Sequence, residues 1–151
     1  MSNVLESAIQ EKRKEILARW LEHALALFTG QIVPGTPLFE VLDEAMGMIL
    51  DGFDNGGELC REGINRFSRI LAVHPFLPSR SMSMFFELQK ILLEIVPSTT
   101  DKAVEEDLRA RTNQLLLDSF DLFMKHREII YQLKVEESSR SMHMALRRVN
   151  A

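Results

Sequence analysis

This chain is poor in the residues that staple or punctuate a small fold. Its single cysteine, Cys60, excludes any disulfide within the chain and fits a reducing, cytoplasmic setting. No apolar run approaches the roughly 18 residues that a membrane span needs, so no membrane partner is expected. There is no basic excess: a net charge of −4 has the wrong sign for a nucleic-acid footprint. The stretch Met1–Glu15 has no apolar h-region, so no secretory signal is expected. No proline or glycine falls between Asp101 and Val149. That last absence is the most informative one.

The absences extend to chemistry. His23, His74, His126, His143 and Cys60 show no ligand spacing such as His-x3-His or Cys-x2-Cys. There is no phosphate loop and no nucleophile–base pair, so neither an enzyme, a metal nor a cofactor is expected. Glu105-Glu106-Asp107 and Glu136-Glu137 read as solvated faces of a helix also rich in Arg and Lys.

What is present is helical periodicity. A first helix is expected from about Asn3 to Thr29, with apolar steps at Val4, Leu5, Ala8, Ile9, Ile16, Leu17, Trp20, Leu21, Ala24, Leu25 and Phe28. Gln10–Glu15 is wholly polar, which predicts that Leu5 and Ile9 pack away from the main core. Gly30, Pro34 and Gly35 make the connection. Thr36 and Pro37 then open a second helix as cap and first residue. Its expected buried face is Leu38, Val41, Leu42, Ala45, Met46, Ile49 and Leu50, and Gly52 ends it before the turn Asp54-Asn55-Gly56-Gly57. The third helix, Glu58–Val73, is expected to bury Leu59, Ile64, Phe67, Ile70 and Leu71. Pro75 stops it and Pro78 starts a fourth, with the stripe Phe85, Leu88, Ile91, Leu92, Ile95. The fifth begins after cap candidates Ser98, Thr99, Thr100 and Asp101 and would run roughly 70 Å at about 1.5 Å per residue. A compact domain of this size is about half that across, so the helix must break or leave the globule. The fold class is all-α, with about five helices.

Three segments together carry a resemblance: Ile16-Leu17-Ala18-Arg19-Trp20, Phe76-Leu77-Pro78-Ser79-Arg80, and Asp121 to Tyr131 through Leu122-Phe123-Met124-Lys125-His126. In that order they resemble the N-terminal sensory domain of RsbR-type stress regulators, the RsbT co-antagonists. The resemblance implies a globin-like helical bundle without haem, which dimerises and signals along its last helix into a STAS domain. The family usually has Thr or Ser where Leu77 stands, so the capping role passes to Ser79. The sequence ends at Ala151 with no STAS domain after it, so a separate STAS-domain or kinase partner is implied.

Several residues admit two readings. His126 lies on the seam Leu115, Ser119, Leu122, His126, Ile129, Leu133. It and His74 are either hydrogen-bonded core histidines or, as a globin-like fold suggests, haem ligands. Cys60 is either a redox thiol at a helix start or a small buried residue. Phe67, Phe76, Phe85, Phe86, Phe120 and Phe123 either fill the core or line an apolar pocket. Up to Leu133 the last helix has a broad apolar face suited to a globule, including Leu116, Phe120, Ile129 and Ile130. Beyond it, Val135, Ser138, Met142, Ala145 and Val149 step by three and four, which suits a two-helix seam or a solvated tail. Residues 1–134 are therefore expected to form a sensor-like domain and 135–151 an extension of its last helix. Two functions follow: a dimeric non-enzymatic signalling module, or a protein binding haem or another apolar ligand.

Overall fold

A computed structural model describes residues 2–28, 34–54, 56–95 and 102–150, with side chains from Val4 onward. Six helices make up the described residues, with no strand among them: α1 (Ser2–Glu11), α2 (Arg13–Leu27), α3 (Pro37–Asp51), α4 (Glu58–Val73), α5 (Pro78–Ile95) and α6 (Lys102–Val149). The fold is all-α. Gly30, Asn55 and the cap candidates Ser98 to Asp101 lie outside the described residues.

The sixth helix arises because the expected first one is broken. Lys12, at φ −106° and ψ 15°, ends one helix and starts the next within the polar stretch. The break re-aims α1, so Leu5 and Ile9 join the main core and are buried in it. This corrects the expectation that they pack elsewhere: a kink costs one residue's helical geometry and recovers two large apolar side chains.

The start of α3 forms as its sequence dictates. Thr36 Oγ1 accepts the Phe39 N–H at 3.3 Å, and Pro37 holds the first position. At the start of α5 the Leu77 carbonyl accepts from the Ser81 N–H, while Ser79 lies one residue inside the helix. Ser79 thus does not occupy the cap position.

The core centres on Trp20, Phe67 and Phe85, which meet edge to face in all three pairs at centroid distances of 5.6–6.2 Å. The indole N–H donates to the Met84 carbonyl at 2.8 Å, so burial leaves it satisfied. Helices α3 and α4 cross closely at Gly63, where an added Cβ would lie 2.9 Å from the Ala45 carbonyl oxygen and the Ile49 nitrogen. Val41 and Leu59, expected in the core, face solvent. Each flanks a buried neighbour, Leu42 and Cys60, about 100° round its helix.

Helix α6 is continuous over 48 residues. Val104, Leu108, Thr112, Leu115, Ser119 and Phe123 face the core. Gln89 of α5 sets the register, donating to Thr112 Oγ1 at 2.5 Å and Asn113 Oδ1 at 3.2 Å. Ile130 is the last partly buried residue, and every residue from Tyr131 to Asn150 is exposed. The helix therefore leaves the globule instead of breaking.

Candidate functional site

The outer face of α6 carries a long run of exposed apolar side chains. Leu117, Phe120, Met124, Tyr131, Val135, Met142 and Val149 are all exposed. At about 100° per residue they lie roughly 140–200° round the helix from the buried Leu115. Ser138 and Ala145 fall at about 140° and 120° on the same scale. The tail stripe expected from spacing is thus the outer end of a longer stripe. Val135, Met142 and Val149 are 62%, 66% and 81% exposed. This run of exposed apolar side chains is what makes the face the candidate site.

The stripe begins on the globule. There Phe120, Met124 and Tyr131 join Pro78 of α5 in a groove of about 470 Å³, with Asp121, Lys125, Arg127 and Glu128 at its polar parts. Phe120 and Ile129 were expected in the core; they are 40% and 45% exposed. Ile129 lies on the core-facing side, about 320° round from Leu115, and is exposed because α6 is leaving the globule there; Phe120 is exposed because the helix carries two opposed apolar stripes, only one of which meets α4 and α5. Leu117, Met124 and Tyr131 were missed for the same reason: neither aromatic clustering nor the tail spacing singles them out, but their angular position does.

The six phenylalanines do not share a cavity. Phe67, Phe85 and Phe123 are sealed in the core, Phe76 is half-buried, and Phe86 and Phe120 face outward. The pocket expected of them is corrected: helical rotation of about 100° turns Phe86 out to solvent beside its buried neighbour Phe85.

The histidines are spread out. His126 Nε2–H donates to Asn65 Oδ1 at 2.9 Å, and burial followed by the cations Arg69 and Lys125 holds its pKa below the ordinary value. His74 Nδ1–H donates to the Ile70 carbonyl at 2.7 Å, and its ring stacks on Phe76 and meets Phe28 edge-on. His23 lies 3.3 Å from Glu87, and His143 is exposed on the free part of α6. Among the described residues no three His, Cys, Asp or Glu side chains gather to hold a metal. Cys60 is fully buried, and burial pushes its thiol pKa up, away from the reactive thiolate.

Arg127 marks where α6 departs. Its Nε donates to the Ala72 carbonyl at 2.7 Å, and Nη2 donates to those of His74 and Phe76 at 2.6 and 2.7 Å. The guanidinium also lies 4.6 Å from the centre of the Phe123 ring. It ties the α4–α5 connection to the exit point of α6.

No family model, no curated protein and no solved structure matches this chain. No described helix is long and apolar enough to cross a membrane.

Proposed function

We propose that this chain is a non-enzymatic signalling or adaptor module. It is a haem-free, globin-like sensor domain that forms a homodimer and acts through its last helix on a STAS-domain or kinase partner, in a cytoplasmic setting. The observation that carries this reading is the outer stripe of α6, from Leu117 to Val149, on the face opposite the core. Two heptads of tail alone make a weak seam. Extended back to Leu117 the stripe spans more than four, broken at Arg127 and Glu128 and again at the polar Ser138, which is long enough for two-helix packing. The resemblance to RsbR-type sensory domains supports the same arrangement.

Sedimentation equilibrium at micromolar concentration tests it. A dimer mass is expected, and a clean monomer mass would sink the reading. A Soret band in the absorption spectrum of the purified protein would instead favour a haem-binding role.

A further inference from the structure

We infer that the cleft between the end of α4 and the exit of α6 binds a small organic anion, a carboxylate or phosphate head on a compact apolar body. The cleft encloses about 380 Å³ and is lined by Ala72, Val73, Pro75 and Ile130 on its apolar side, and by His74, Arg127, Tyr131 and Lys134 on its polar side. That volume suits a small ligand. In a chain of net charge −4, its lining holds two permanent cations and no carboxylate. Among the described residues neither Arg127 nor Lys134 has an ion-pair partner.

Arg127 is built as an anchor. Three of its five donors are spent on the Ala72, His74 and Phe76 carbonyls, which fix the guanidinium plane. Among the described residues the two hydrogens on Nη1 meet no protein acceptor. The carbonyl dipoles orient the cation without cancelling its full charge, so an anion gains a charge-assisted bond to a donor already immobilised. Lys134 stands seven residues on, two turns along the same side of α6, and brings a second, mobile cation. Glu128 lines only the neighbouring groove, which Arg127 and Tyr131 border as well. Because Tyr131 and Lys134 belong to the first exposed turn of the free helix, an occupant would bridge globule and extension. Its use as the sensed signal rests on the proposed function; the binding itself does not.

Amide NMR titration of the full chain with benzoate, phenyl phosphate and neutral benzyl alcohol tests the site, the first two separating carboxylate from phosphate preference. At least one anion should give saturable shifts at His74, Tyr131 and Lys134 at low millimolar concentration, while benzyl alcohol gives none. Lys134→Glu, at an exposed position, should weaken that binding at least tenfold with its melting temperature unchanged, and Lys134→Gln by less. Absence of saturation with both anions, equal binding of the neutral probe, or unchanged affinity in Lys134→Glu would overturn the site. Sedimentation of the same samples reads dimerisation separately, so a dimer that binds no anion overturns this inference alone.

Discussion

Single side chains in this protein divide sharply between the two faces of α6, and their energetics should divide with them. Phe123 is fully buried and carries the Arg127 guanidinium on its ring. Phe123→Ala should cost about 3–5 kcal/mol, a large share of a domain's stability, measured by denaturant unfolding. Ile130 is only half-buried, so Ile130→Ala should cost nearer about 1 kcal/mol. His126 adds a pH dependence. Its folded pKa lies below its unfolded value, so the unfolded chain takes up the proton more readily. The stabilising effect of neutral His126 is present above the unfolded pKa of about 6.5 and is lost as pH falls through the folded value. Stability should therefore decline on acidification through that window, and His126→Gln should flatten the decline in unfolding curves taken at stepped pH. An identical slope in the variant would assign the effect to another group. The sequence shows His126 as a seam residue but cannot show Asn65, sixty-one residues earlier, as its partner: that pairing exists only once α4 and α6 pack.

At the level of helices, local chemistry was legible and rotation was not. Pro37 and Pro78 mark boundaries where the chain obeys them, because each acts through its own backbone geometry, whereas Gly52 ends α3 at an ordinary φ of −102°, where an added Cβ would lie 2.7 Å from the Cys60 nitrogen. The break at Lys12 left only a polar gap as its trace, since no proline or glycine makes it. The inward and outward faces of α6 both read as apolar, and only contact with α4 and α5 tells them apart. The α3–α4 crossing is equally hidden: Gly63 looks like a weak helix residue until Ala45 and Ile49 come against it. Both contacts there are backbone atoms, so Gly63→Ala should force the helices apart and cost about 1–3 kcal/mol by thermal or denaturant unfolding. A neutral or stabilising outcome would mean that the crossing relaxes freely.

The whole molecule joins a packed helical body to a helix that continues past it. Burial explains the body, where the aromatic centre and the Arg127 clamp fix α4, α5 and α6 together. It does not explain why apolar residues persist along twenty exposed positions from Tyr131 to Asn150. The proposed second copy laid along that stripe would, and on that proposal the extension is an output rather than a tail. The all-α class was readable from periodicity alone. The candidate site was half readable: Val135, Ser138, Met142, Ala145 and Val149 announce themselves by spacing, whereas Leu117, Phe120 and Met124 are hidden among core residues of the same helix.

The most direct test is the mass of the native chain and of Met142→Lys by sedimentation equilibrium at micromolar concentration, where the proposal predicts a native dimer, with each melting temperature read on the same sample. A buried lysine in the seam should return the variant to monomer, while the globule, which Met142 does not touch, melts as before. A variant that stays dimeric yet melts as low as Phe123→Ala would place Met142 in the core and contradict the account.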